Sequence, residues 1–258
     1  MSGPLRRATR PAGLEPSRRT CLQALLAAGA VLGAGGCAPD FKILPIAASP
    51  KRRAPVLMVF ITGFDDHRQD LVDHGVIDVI ERHGGSVDVL VVEGETPQYM
   101  SGEFTGEFNR RIVQTPRFQR YRRRILLGFS GGGTAALSYA SGHPDAFDTM
   151  ILYAPYLGPK FIVEEIAEAG GLARWQPTGP QEHQEALWVW LRRYAAGEVE
   201  APDLYLLWSR EDDVAVGLPL LEDSGLRERI SVGSGEHGWP AFDGLWPGFV
   251  RDHARLFR

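Results

Sequence analysis

Cysteine is nearly absent from this chain. Only Cys21 and Cys37 occur in 258 residues, and residues 38–258 contain no thiol. A disulfide framework, a thiolate metal site and a cysteine nucleophile are therefore excluded from the body of the protein. Long apolar runs are also scarce. The longest, over residues 22–36, is about 15 residues and is broken by Gln23, too short to span a bilayer comfortably. No strong excess of one charge is present. The formal net charge of −4 combines +4 over residues 1–36, where Arg6, Arg7, Arg10, Arg18 and Arg19 stand against Glu15 alone, with −8 on the remainder. A mildly acidic body gives no electrostatic reason to bind nucleic acid. Internal repeats and low-complexity tracts are missing, and Gly131-Gly132-Gly133-Thr134 lacks the lysine of a Walker-type phosphate loop.

What is present suits a globular fold. Hydrophobic residues make up 44% and charged residues 23%, ordinary values that supply a sizeable core. Residues 37–54, with Pro39, Pro45, Pro50 and Lys51-Arg52-Arg53, read as an extended linker. Beyond them, β-rich apolar runs at 56–61, 87–92, 125–129, 150–153, 204–208 and 230–232 predict strands. Helical spacing appears over 66–83, 103–118, 132–141, 160–169, 181–196 and 242–257. Strands alternating with helices predict an α/β fold with a mostly parallel sheet covered on both faces. The stretch 156–202 has no convincing strand but carries Trp175, Leu187, Trp188, Trp190, Leu191 and Tyr194. These side chains either line a cap over an apolar acyl pocket or pack as core against the sheet edge.

The most informative segment is Gly128-Phe129-Ser130-Gly131-Gly132, a G-x-S-x-G pattern between an apolar run and a small-residue helix. A strand that turns sharply into a helix through glycines holds its serine in a strained turn, with the hydroxyl clear of the sheet. A serine hydroxyl is a weak nucleophile and needs a base, itself oriented by a carboxylate. In proteins built on such a turn the chain order is serine, acid, histidine. Four histidines follow Ser130: His143 ends the next helix, His183 lies in the 156–202 insertion and His253 in the last helix. His237 stands in a loop directly after a strand, where a catalytic base belongs. The loop after the preceding strand offers Glu211, Asp212 and Asp213, with Asp212 the first choice as acid and Asp213 the alternative. An oxyanion needs two backbone donors, and the N–H groups of Gly131 and Phe64 are the candidates. At least one of Asp65 and Asp66 reads instead as a helix N-cap.

Taken together, Thr62-Gly63-Phe64, Gly128–Gly132, Arg210–Asp213 and Glu236-His237-Gly238-Trp239 resemble the α/β-hydrolase superfamily over residues 55–258. Tyr153-Ala154-Pro155-Tyr156-Leu157-Gly158 and His237-Gly238-Trp239-Pro240 are similar to a group of bacterial hydrolases with a short helical cap. The resemblance implies the α/β-hydrolase fold with a cap at about 156–202. It also implies cleavage of esters, thioesters, amides, epoxides or halides. The last two usually employ an aspartate nucleophile, so Ser130 argues against them. In many such enzymes the acid stands three residues after a glycine; Ser209 occupies that place here, which supports Asp212. The common His-Gly pair of the oxyanion loop is Thr62-Gly63, a tolerated departure because the donor is backbone. The expectation is a serine hydrolase that cleaves a small-molecule carboxylic ester through an acyl-enzyme, with no cofactor and no metal. An amidase or peptidase using the same residues, or a silent protein binding an apolar ligand, are the alternatives.

The N-terminus reads as an address. Ser17-Arg18-Arg19-Thr20-Cys21-Leu22-Gln23 resembles a twin-arginine export signal, so residues 1–36 are expected to be a signal peptide. Leu32-Gly33-Ala34-Gly35-Gly36-Cys37 resembles a lipoprotein cleavage site, with Ala34 where leucine is usual. Cys37 is accordingly a lipidation candidate, with simple signal-peptidase cleavage as the alternative. The expected location is periplasmic or cell-envelope, with a possible membrane tether.

Overall fold

A computed structural model describes residues 41–46, 54–94, 99, 102–177 and 182–258. The signal segment 1–36, Cys37 and the remainder of the 37–54 linker outside 41–46 and residue 54 lie outside the described residues. Residues 38–258 form one compact unit.

The elements, in chain order, are β1 (Lys42–Ile46), β2 (Val56–Ile61), α1 (Arg68–Asp73), α2 (Val76–Arg82) and β3 (Val87–Glu93). Next come α3 (Gly102–Phe108) with a π turn at Asn109–Val113, α4 (Pro116–Gln119), β4 (Arg123–Phe129), α5 (Ser130–Gly142) and β5 (Thr149–Tyr153). The remainder is α6 (Lys160–Glu168), α7 (His183–Ala195), β6 (Asp203–Ser209), α8 (Pro219–Glu222), β7 (Ile230–Gly233) and α9 (Trp239–Asp252). Seven strands form one sheet in the order β1-β3-β2-β4-β5-β6-β7. All neighbours are parallel except β1, which runs antiparallel to β3. Val59 pairs with both Leu90 and Leu126, fixing the register at the centre. All six β2 side chains are buried, as expected for a parallel strand covered on both faces. In such a sheet ligands bind beyond the C-terminal strand ends where the strand order reverses. Here β3 lies on one side of β2 and β4 on the other, so that point falls between the loops after β2 and β4.

The structure departs from the sequence reading in four places. Residues 42–46 of the expected linker pair with β3, with Pro45 opposite Leu90. Proline is tolerated there because β1 is an edge strand and one side of it needs no ladder donor. The single helix expected over 66–83 is two, divided at Gly75, whose φ of 59° is left-handed. The helix expected over 103–118 is interrupted by the π turn and restarts at Thr115-Pro116, where the Thr115 hydroxyl caps Phe118 N–H. The last helix begins at Trp239 rather than at 242, with Pro240 in its first turn, where the missing N–H costs nothing.

The insertion between β5 and β6 carries α6 and α7, and α7 packs beside α5. Trp175 and Trp188 are 1% and 0% exposed, so these two rings are buried in the core. Trp188 Nε1–H donates to Leu157 O at 2.8 Å, and its ring lies where a Cβ on Gly217 would stand 2.6 Å away. Trp188→Ala is expected to cost about 3–5 kcal/mol of stability by opening a cavity and stranding the Leu157 carbonyl. Urea denaturation of both proteins, compared at equal m-value, measures the loss.

Candidate functional site

The elbow between β4 and α5 is built from what its glycines lack. Ser130 has φ 49°, a left-handed conformation that a side chain rarely adopts. A Cβ on Gly128 would stand 2.7 Å from Gly132 O and Gly133 Cα, and one on Gly132 would stand 2.3 Å from Thr62 O. Only bare backbone therefore allows β4 to turn this tightly into α5 beside β2. The turn is held from the other side by Tyr156 N–H, which donates to Ser130 O at 3.3 Å. Ser130 is the first residue of α5, so the N–H groups of its first turn have no intrahelical acceptor. Gly131 N–H belongs to that set.

The loop after β2 approaches the same point. A Cβ on Gly63 would meet Ser130 Cβ at 3.3 Å. Thr62 N–H donates to Val92 O at 3.1 Å and Gly63 N–H to Asp66 Oδ2 at 3.1 Å. Phe64 N–H is the first amide of this loop without a protein acceptor among the described residues. Phe64 is 40% exposed.

The loops after β6 and β7 bring the acid and the base together. Asp212 is 5% exposed. Its Oδ1 accepts from Val214 N–H at 2.9 Å and Ala215 N–H at 3.1 Å, and its Oδ2 lies 2.8 Å from His237 Nδ1. The carboxylate held by those two amides accepts here, so His237 Nδ1–H donates to it. In the neutral ring, Nε2 then carries the lone pair that accepts a proton. The other two carboxylates of the loop do different things. Asp213 is exposed, and Glu211 accepts from Gly235 N–H at 2.7 Å, pinning the loop that precedes His237.

An aromatic cluster joins these loops beneath the site. The Phe129 ring, one residue before Ser130, lies 4.6 Å from Trp239, 4.5 Å from Phe242 and 4.9 Å from Tyr153. Tyr153 stacks toward His237 at 6.3 Å and its hydroxyl donates to Gly238 O at 3.0 Å. Burial, helped by the nearby Asp212 charge, pushes the Tyr153 phenol up to about 12, so it remains a donor across the neutral range. The residues offered by the sequence at 64, 130, 131, 212 and 237 thus gather at the C-terminal end of the sheet, whereas Cys37 lies outside the described residues.

Two participants escaped the sequence reading. Asp66 is no helix cap: α1 starts at Arg68 with His67 at its N-cap. The Asp66 carboxylate instead accepts from Gly63 N–H and, through Oδ1, from Trp239 Nε1–H at 2.8 Å. Burial raises its pKa, partly offset by the Trp239 bond. Trp239 was visible only as the neighbour of His237-Gly238, and nothing local marks it as a partner of residue 66. Among the described residues no group of three or more His, Cys, Asp or Glu side chains could hold a metal ion. Nor is any described helix long and apolar enough to cross a membrane.

Several solved structures share this architecture. The S-formylglutathione hydrolase FrmB of Staphylococcus aureus superposes with TM-score 0.51 at 11% identity, covering 86% of this chain and 100% of that one. The fluorophosphonate-binding serine hydrolase F of Staphylococcus aureus does so with TM-score 0.53 at 10% identity, over 85% and 99%. Est1E from Butyrivibrio proteoclasticus reaches 0.54 at 12% identity, over 83% and 93%. At such identities the likeness carries the fold alone. No curated protein sequence matches the chain. The family model described as "Putative esterase" matches residues 95–241, more than half of the chain and a span containing Ser130, Asp212 and His237. The chain belongs to this esterase family, and it is a serine hydrolase of the α/β-hydrolase fold that acts on carboxylic esters.

Proposed function

We propose that Ser130, His237 and Asp212 carry the ester hydrolysis, with the amides of Phe64 and Gly131 as the oxyanion donors. The observation behind this assignment is the 2.8 Å bond between a buried Asp212 and His237 Nδ1, formed at the sheet end that also bears the strained Ser130. Ser130 Oγ attacks the acyl carbon while His237 Nε2 takes its proton, and the carbonyl π pair moves onto oxygen. The two amides receive that oxyanion. Collapse of the tetrahedral adduct expels the alcohol, which leaves with the proton returned by His237. Water, deprotonated by the same nitrogen, then cleaves the acyl-enzyme and restores Ser130. Asp212 orients the ring throughout and stabilises the imidazolium. Its geometry favours it over Asp213, whose side chain faces solvent.

The N-terminal segment extends the proposal to location. The arginine pair and apolar stretch of residues 1–36 support export, and Cys37 supports a lipid tether at the cell envelope.

Ser130→Ala is expected to lower kcat on an activated ester by about 10⁴-fold or more with an unchanged melting temperature. Asp212→Ala should lower it by about 10²–10⁴-fold, and Asp213→Ala should leave it within about 3-fold. Stopped assays on matched esters and anilides make the measurement, and a Ser130→Ala enzyme at full activity would overturn the assignment. For the tether, the full-length protein expressed in a bacterial host should enter the detergent phase on Triton X-114 partition. Cys37→Ser should leave it in the aqueous phase. A wild-type protein found in the aqueous phase contradicts the lipid.

A further inference from the structure

We infer that Asp66 is a positioning residue for the oxyanion hole, and that through Trp239 it locks the oxyanion loop to the loop bearing His237. The inference rests on the reading of Phe64 N–H as an oxyanion donor. Asp66 sits three residues after Gly63 and folds back on it, so its Oδ2 closes the turn Gly63-Phe64-Asp65-Asp66 at 3.1 Å. Asp65 in that turn has φ 57°, a left-handed conformation that costs on the order of 1–3 kcal/mol for a residue with a side chain and persists only where its surroundings impose it. Capture of the Gly63 amide by the carboxylate supplies one such constraint, and it leaves Phe64 N–H as the amide available to a substrate.

The second oxygen does something a local turn does not require. Oδ1 accepts from the indole of Trp239, two residues after His237 and 173 residues from Asp66 in the chain. Trp239 is itself fixed on three sides. Its ring lies against Phe129, adjoining Ser130, at 4.6 Å and against Phe60 at 6.2 Å. On the third, His74 stacks on it at 4.6 Å and 14°, and His74 Nδ1–H donates to Asp243 Oδ2 at 2.7 Å. One carboxylate thus holds the donor loop and the base loop in a single register, with the ring beside the nucleophile between them. Burial disfavours the charge that makes these two bonds, as the raised pKa of Asp66 records.

The test uses Asp66→Asn, Asp66→Ala and Trp239→Phe in the full chain, after the wild type has hydrolysed an ester and Ser130→Ala has failed to. That control separates failure of this inference from failure of the triad assignment. Misplacing an oxyanion donor removes stabilisation made only in the transition state. Asp66→Ala and Trp239→Phe are therefore expected to lower kcat by about 10–10²-fold while KM moves less than about 3-fold. Affinity for a trifluoromethyl ketone, whose hemiketal adduct carries the oxyanion, should fall in the same proportion. The double variant Asp66→Ala with Trp239→Phe should be scarcely slower than either single one. Asp66→Asn, which keeps one acceptor, should recover part of kcat without lowering the melting temperature. Wild-type kcat and ketone affinity in Asp66→Asn and Asp66→Ala would overturn the inference. So would losses that merely track a fallen melting temperature, or penalties that add in the double variant.

Discussion

Everything at this site hangs on a backbone that turns where side chains would forbid it. Ser130 lies at φ 49° because Gly128 and Gly132 let β4, α5 and the end of β2 come within contact of one another. That close approach puts the serine at the N-terminus of a helix, whose unpaired amides and dipole favour negative charge. It also sets the serine against the loop after β2, so that the proposed nucleophile and oxyanion donors are neighbours. An added methyl group at residue 132 would collide with backbone rather than with a side chain that can swing aside.

The remaining parts are referred to this turn by packing and by two carboxylates with different duties. Asp212 is buried, accepts two backbone amides and faces His237. Asp66 is partly buried, accepts one amide and one indole, and ties two loops that leave different strands. Between them the rings of Phe129, Tyr153, Trp239 and Phe242 fill the space under the strand ends. Rigid aromatic packing of this kind transmits position with little loss, because interiors are close-packed and deform reluctantly. The histidine loop needs that support, since Gly235 and Gly238 at φ 110° and 137° give it little stiffness of its own.

Much of the architecture was legible because a parallel sheet buried on both faces writes itself as short apolar runs. The strands from β2 to β7 appeared at nearly their observed limits for that reason. β1 was not legible: Pro45 argued against a strand, and only its edge position, a tertiary fact, admits it. The break at Gly75 was missed because the apolar spacing continues through it on both sides. In the site, chain order pointed to residues 130, 212 and 237 as candidates, and the resemblance to the α/β-hydrolases favoured Asp212 over Asp213. The contacts of Asp66 were not legible because its distant partner stands 173 residues away, and no local pattern reports a contact at that range. Trp175 and Trp188 were ambiguous for a related reason, since a ring in a helical stripe looks the same whether it faces a cavity or a core.

The central claim is that Ser130 is an activated nucleophile and that His237 activates it. Its most direct measurement is the rate of reaction with a fluorophosphonate, with the modified residue located by peptide mass spectrometry. The account predicts a single phosphonyl adduct on Ser130 in the wild type and a rate reduced by about 10²-fold or more in a folded His237→Ala variant. An adduct at another residue, or a Ser130 that reacts as fast without the histidine, would contradict it.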